Sequence, residues 1–325
     1  MTQPDATSGE FAVLPERSER GHKGTFGTVV VVGGTAFGTG GSLMVGAPAL
    51  TGTAALRAGA GLAKLVLPAV IAPAAVAIAP SCTALTFACD QRGAYEPSDA
   101  VAVLDRAIEG GAVLAIGPGL GMGDGPTALV MRAITQHESH AVLDADALNV
   151  LSVIPEFHQD FQVSAVLTPH VGECRTLMKA LRIEVDLTGT QGLCSAATAL
   201  AQRLGCVVVL KSATTVVADA IRCWVHDEPN PVLGTAGTGD VLTGTIAGLI
   251  AQFVPPSSVS ALAGIKRAQG EGRHTLSLFD AARLGVIAHA RAAKFWRERH
   301  NNASGGMLAM ELAGLIPEAL QSMRG

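Results

Sequence analysis

Residues 28–34 read Thr-Val-Val-Val-Val-Gly-Gly. Four valines in a row leave no polar face, so the strand they predict has to be covered on both sides, as in a parallel sheet. Similar short apolar runs recur at Leu62–Leu67, Ala112–Ile116, Ala141–Leu143, Ala165–Thr168 and Cys206–Leu210. Between them lie segments with the length and composition of helices, among them Pro48–Gly59, Pro126–His137, Gly172–Leu181 and Gln191–Leu204. Strand and helix in alternation predict a doubly wound α/β layer. After the sixth strand, Thr214–Ala218 and Ile221–Val225 predict a hairpin that places the loop Pro229–Gly239 over a pocket. Leu278–Glu298 and Met307–Leu320 close the chain as helices, joined by the turn-rich His300–Gly306.

The 325 residues allow one large domain or two ordinary ones. No linker interrupts the pattern, so residues 21–325 are read as a single domain and residues 1–20 as a flexible tail without the apolar centre of a secretory signal. With 23 basic and 27 acidic residues spread along the chain, no basic patch for nucleic acid or a membrane surface stands out. Leu65–Pro80 is interrupted by Pro68, Pro73 and Pro80 and too short to span a bilayer; it reads as buried core. The six cysteines form no CxxC pair and do not cluster with histidine, which predicts reduced, mostly buried thiols in the cytoplasm and no disulfide supported by the spacing.

In open α/β sheets ligands collect at the carboxyl ends of strands. The glycine-rich and polar clusters of this chain fall at those ends: Gly33-Gly34, Gly117–Gly121, Asp144-Ala145-Asp146, Pro169–Glu173 and Lys211. They predict one crevice. Its most informative wall is Gly234–Gly244, Gly-Thr-Ala-Gly-Thr-Gly-Asp-Val-Leu-Thr-Gly, in which a glycine turn runs into an apolar helix. Unpaired N–H groups of a first helical turn favour phosphate, whereas the Asp240 carboxylate repels it. Asp240 therefore reads either as a base for a nucleophile approaching a phosphoryl group or as a plain helix N-cap.

Lys211, at the end of an apolar strand, is placed to reach a phosphate or purine, or to snorkel to solvent. Thr214 and Thr215 add hydroxyls. Gly117–Gly121 lacks the lysine of a P-loop. Asp144 and Asp146, two apart, face the same way if extended, and then either hold magnesium through water or bind substrate hydroxyls; alternatively they form a strand-end turn and a helix cap for Ala147–Leu151. His170 lies in a loop and is able to donate and accept hydrogen bonds, while Glu173 reads as a helix cap. His22, His137, His140 and His289 show no metal-ligand pairing and are assigned no chemistry.

Taken together, His22-Lys23-Gly24, Val31–Gly34, Gly46-Ala47-Pro48, Ala54–Gly61, Ile116–Gly121, Leu143–Asn149, Leu167–Glu173, Leu210-Lys211 and Gly237–Gly244 resemble the NAD(P)H-hydrate dehydratases, a family with a ribokinase-like fold. The resemblance runs from about residue 20 to near the C terminus. It implies a three-layer, doubly wound, mostly parallel sheet with helices on both faces. It also implies magnesium and ADP, or ATP, as phosphoryl donor: the ring hydroxyl of hydrated NADH or NADPH is phosphorylated and phosphate is eliminated. Carried over by position, Asp240 is the base. Lys211, Ser212, Ala213, Thr214, Thr215, Gly237, Thr238 and Gly239 fall to the nucleotide, and Ala47, Gly119, His170 and Asp240 to the hydrated dinucleotide. No residue is assigned to a protein-held metal site. The twenty residues ahead of the domain are too few for the epimerase fused to many members, so the resemblance implies a separate epimerase and a homo-oligomer, a tetramer. The chain departs from the family pattern at Ser212 and Ala236, both usually glycine, and near Arg291–Lys294, changes that bear on the nucleotide pocket. A small-molecule kinase of the same fold, acting on a vitamin precursor or a sugar, and a non-catalytic nucleotide-binding protein are the alternatives. Gly46-Ala47-Pro48 and Thr168-Pro169-His170 favour the dehydratase over the first, and Asp240 disfavours the second.

Overall fold

A computed structural model of the chain describes residues 13–36, 41–90, 93–256 and 276–324. The valine run forms β1, Thr28–Val32. It lies in a sheet that also contains β2 (Leu62–Pro68), β3 (Thr83–Phe87), β4 (Val113–Ile116), β5 (Ala141–Leu143), β6 (Ala165–Leu167), β7 (Val207–Leu210), β8 (Thr215–Ala218) and β9 (Cys223–His226). Their spatial order is β3-β2-β1-β4-β5-β6-β7-β8-β9. The first seven are parallel, and β8 runs antiparallel to both of its neighbours.

Successive residues of a strand point to opposite faces, so four valines feed two cores. Val29 and Val31 join one cluster and Val30 and Val32 the other. The first is covered by α1 (Gly46–Arg57), α2 (Ala72–Ile78), α8 (Thr238–Phe253), α9 (Leu278–Arg299) and α10 (Ala309–Gln321). On the other face lie α3 (Pro97–Ile108), α4 (Asp124–Thr135), α5 (Asp146–Val153), α6 (Val171–Ala180) and α7 (Gly189–Leu204). The result is the three-layer α/β arrangement that the sequence pattern predicts.

Several expectations change. β3 and α3 were not foreseen. The second arm of the hairpin starts at Cys223 rather than Ile221, because the Asp219 carboxylate accepts the N–H groups of Ile221 (2.9 Å) and Arg222 (2.7 Å) and widens the turn. Leu65–Pro80 is only partly core: after β2 it bends into a short 3₁₀ turn and α2, leaving Val70 59% and Ile78 43% exposed. The expectation of uniformly reduced thiols is overturned by a disulfide between Cys194 on α7 and Cys223 on β9, with Cα atoms 5.9 Å apart. Cys82, Cys174 and Cys206 are buried free thiols. Residues 1–12 of the expected tail lie outside the described residues, but Leu14 is buried and the Arg17 guanidinium stacks 3.8 Å over the Phe26 ring. Among the described residues no helix is long and apolar enough to cross a membrane.

Candidate active site

The glycine turn before α8 ends at Gly237, whose φ of +88° is left-handed. A Cβ there would stand 2.9 Å from both Leu50 and Ala309, so the site excludes a side chain on steric grounds as well. Asp240 is the third residue of α8, and the N-cap position belongs to Gly237; the cap reading of Asp240 is therefore set aside. Its carboxyl is pushed up to about 7, first by burial and then by the negative charge of Asp144, with Lys211 pulling the other way.

Asp144 follows β5 and is 2% exposed. Its Oδ1 accepts from Lys211 Nζ at 2.7 Å and its Oδ2 from Thr243 Oγ1 at 2.7 Å. Lys211 thus neither snorkels nor stands free, as the ion pair holds it at the strand end with 21% of its side chain exposed. Burial opposes its charge, but Asp144 and Glu173 outweigh burial and raise its pKa. The backbone brings these groups together: Lys211 N donates to Pro169 O at 2.8 Å, and His170 and Lys211 form an isolated parallel bridge.

Asp144 and Asp146 do not face the same way. Ala145 between them has φ +48°, so the segment is not extended, and Asp146 turns back to accept from Gly121 N at 2.8 Å and Asn149 Nδ2 at 3.2 Å. The glycine of Gly117, φ +120°, is required by close packing: a Cβ would fall 1.8 Å from the Asp144 carbonyl oxygen. His170 caps α6, its Nδ1 accepting from Gly172 N (2.9 Å) and Glu173 N (3.2 Å). That leaves Nε2 to carry the proton in the neutral ring. Glu173 completes the capping box by accepting His170 N at 2.7 Å, as the sequence suggests. Burial, partly offset by Lys211, raises its pKa.

Ala47 and Gly119 meet: a Cβ on Gly119 would lie 3.4 Å from Ala47 Cβ and 2.7 Å from Met44 Cβ. One helical turn beyond Ala47, Leu50 touches the Gly237 turn, which places this pair on the α1 side of Asp240. On the other side opens a cavity of about 540 Å³. Lys211, Ser212, Ala213, Thr215, Thr238 and Gly239 line it. Thr214 does not line it, its hydroxyl donating instead to Asp227 Oδ1 at 2.6 Å, and neither does Gly237. Of the departures from the family pattern, Ser212 lines the cavity, whereas Arg291 and Lys294 lie along a neighbouring groove between β9 and α9.

The loop from Pro229, with Asn230, lines the cavity as the hairpin predicts, whereas three further polar lining residues are unforeseen in the sequence: His226, Glu228 and His289. His289 is buried on α9, its ring held neutral by burial, which brings its pKa down to about 4. Its Nε2 lies 2.8 Å from the Thr238 carbonyl, and since a carbonyl only accepts, Nε2 donates and ties α9 to the first turn of α8. Nothing in the sequence marks it, because on a buried helix face it reads as core. Among the described residues no group of three or more His, Cys, Asp or Glu is arranged to hold a metal ion.

The site therefore combines a carboxylate tuned to neutral pH, a paired lysine and a helix N-terminus between a cavity and a second rim. That combination suits phosphoryl transfer to a hydroxyl. A family model described as NAD(P)H-hydrate dehydratase matches residues 31–318. The chain belongs to that family. It is 32% identical over 327 residues to an ADP-dependent (S)-NAD(P)H-hydrate dehydratase of Xanthomonas campestris, covering 99% of each chain. It spans about half the length of the first curated relatives it matches, which are bifunctional NAD(P)H-hydrate repair enzymes. Among solved structures, an ADP/ATP-dependent NAD(P)H-hydrate dehydratase of Bacillus subtilis, co-crystallized with ATP and Mg²⁺, is 25% identical, with a TM-score of 0.69 and coverage of 96% of this chain and 95% of the other. A ribokinase-like superfamily protein of Enterococcus faecalis shares the fold at 22% identity, with a TM-score of 0.67 and coverage of 96% and 93%. The fold of this NAD(P)H-hydrate dehydratase family member is thus ribokinase-like.

Proposed function

We propose that the chain dehydrates (S)-NAD(P)H-hydrate with ADP as phosphoryl donor, ATP serving as a second donor. The observation that carries this reading is the placement of Asp240 between the Lys211 cavity and the Ala47–Gly119 rim with its pKa near neutral. Hydroxide is a poor leaving group, and phosphorylation makes it a good one. Asp240 takes the proton of the ring hydroxyl as its oxygen attacks the terminal phosphorus of ADP and the bond to AMP breaks. The N–H groups of the α8 first turn stabilise the equatorial oxygens. Electron release from the ring nitrogen then expels phosphate, and loss of the neighbouring ring proton restores the nicotinamide double bond.

The donor set fits a magnesium ion carried by phosphate oxygens and water, since no trio of protein ligands is assembled among the described residues. Such an ion would neutralise phosphate charge, and Asp144, Glu173 and Asp240, the carboxylates around Lys211, would draw it to that end of the site by their negative potential. In this reading Lys211, Ser212, Ala213, Thr215, Thr238 and Gly239 surround the nucleotide, and Ala47, Gly119 and His170 meet the hydrated dinucleotide. Thr214 and Gly237 lie outside the cavity lining, Gly237 setting the turn into α8. A separate epimerase as partner, a homotetramer and a cytoplasmic setting are proposed from the family resemblance.

Incubation with hydrated NADH, ADP and magnesium is expected to restore the NADH absorbance band. Failure with both ADP and ATP overturns the dehydratase reading, and a phosphate ester that accumulates without NADH identifies a kinase.

A further inference from the structure

The edge strand β9 contributes its last residue, His226, to the outer wall of the cavity, away from Asp240 and Lys211. Along the seam between β9 and α9, rings and guanidinium groups stack in a ladder. The Arg222 guanidinium lies 4.1 Å from the Phe279 ring centroid, that of Arg283 lies 5.5 Å from Phe279 and 5.4 Å from Trp224, and Trp224 stacks on His226 at 5.7 Å with a 26° interplanar angle. His226 is the final rung, and it lines the cavity. Its Nε2 is buried and has no hydrogen-bond partner among the described residues. Buried polar atoms are almost always satisfied, so an orphan in a cavity wall points to a ligand that satisfies it.

The position also selects which part of a ligand. Lys211 and the α8 N-terminus mark the anionic end of the cavity. β9 stands two strands from β7, at about 4.8 Å per strand, so His226 is separated from the Lys211 strand by a distance comparable to the reach from a phosphate to a base. Around it the wall is contributed by Val286 and Ala290 of α9 and by Glu228, a poor setting for phosphate and a good one for an aromatic base. Burial lowers the pKa of His226 against the pull of Glu228 and Asp227, so the ring is neutral and suited to an uncharged partner.

We propose that His226 is a specificity residue of the cavity, hydrogen-bonding the nucleoside moiety of the nucleotide phosphoryl donor while Trp224 and Arg283 hold its ring in place. This rests on the reading of the cavity as the nucleotide site. Calorimetric titration of the full chain with ADP tests it, using wild type, His226→Phe, which keeps the stacking, and His226→Gln, which keeps a hydrogen-bonding group. His226→Phe is expected to weaken ADP binding about tenfold, as loss of a buried hydrogen bond predicts, and His226→Gln less than about threefold. ADP affinity in His226→Phe within twofold of wild type overturns the assignment, as does a loss in His226→Gln equal to that in His226→Phe, which would indicate packing alone. An equal loss for inorganic pyrophosphate, which has no nucleoside, also overturns it. Wild type that binds no ADP brings down the cavity reading itself, and this inference with it.

Discussion

A carboxylate that is to act as a base near neutral pH must be held above its ordinary range, and Asp240 is held there by burial and by the charge of Asp144. The pH dependence of kcat/KM for the proposed hydrate dehydration is therefore expected to show an acid limb near pH 7, with activity falling about tenfold per unit below it. Asp144→Asn removes one repelling charge and frees Lys211 to face Asp240, so both effects move the limb to lower pH. A limb that stays in place would show that Asp144 does not tune the base. Asp240→Asn is expected to lower turnover at least about a hundredfold while ADP still binds. The same substitution has a stability signature of opposite sign. Because the folded state favours protonated Asp240, the contribution of this group to wild-type stability is lost as pH rises from about 4 to about 7, and the asparagine variant lacks that loss. Its melting temperature should match wild type at pH 4 and exceed it at pH 8. Asp240 and Lys211 were legible in sequence because each sits at an element boundary. The Asp144–Lys211 pair was not, since its members are 67 positions apart in sequence and the sheet order brings them together.

At the scale of elements, the helix that carries Asp240 is fixed by how closely it lies on α1. A Cβ on Gly244 would fall 2.1 Å from the Thr51 carbonyl oxygen, and one on Gly248 would fall 2.6 Å from that of Ala55. Glycine normally weakens a helix by about 1 kcal/mol relative to alanine, so Gly244→Ala would stabilise an exposed helix. Here the obstacle is backbone, which cannot rotate aside, and the expected outcome in urea unfolding is a net loss of about 1–3 kcal/mol. Activity should fall with it, because a shifted α8 displaces Asp240; a stabilised variant would mean that the two helices are free to separate. Strands were the easiest elements to read, since apolar runs such as Val113–Ile116 admit only a two-sided burial. β3 escaped because Thr-Ala-Leu-Thr-Phe is an edge strand with both threonines exposed, carrying too little apolar signal. Helix starts shifted by two residues at α1 and α4, where neither N-cap residue supplies a side-chain hydrogen bond to mark the boundary.

For the whole molecule, the sheet order sets where stability and function meet. The parallel strands from β1 to β7 end at one rim, which is why scattered glycine and acidic clusters converge, and that much follows from alternation alone. The outer edge behaves differently. Among the described residues β9 pairs only with β8, yet it and the loop after it form the far wall of the cavity, so something beyond the ladder has to pin it. The Cys194–Cys223 disulfide does so by joining β9 to α7. Cysteine spacing gave no hint of it, because pairing depends on the crossover that brings α7 against the hairpin rather than on any local pattern. With its ends 29 positions apart in sequence, the bond limits the unfolded chain by about 3–4 kcal/mol in the chain-entropy description. Intact mass under non-reducing conditions should show two hydrogens fewer than after reduction. Urea unfolding with and without reductant should then differ by an amount of that order, and the double variant Cys194→Ala with Cys223→Ala should unfold at the reduced midpoint in both conditions. Equal midpoints for oxidised and reduced wild type would show that β9 is secured by packing against β8 and α9 without the covalent link.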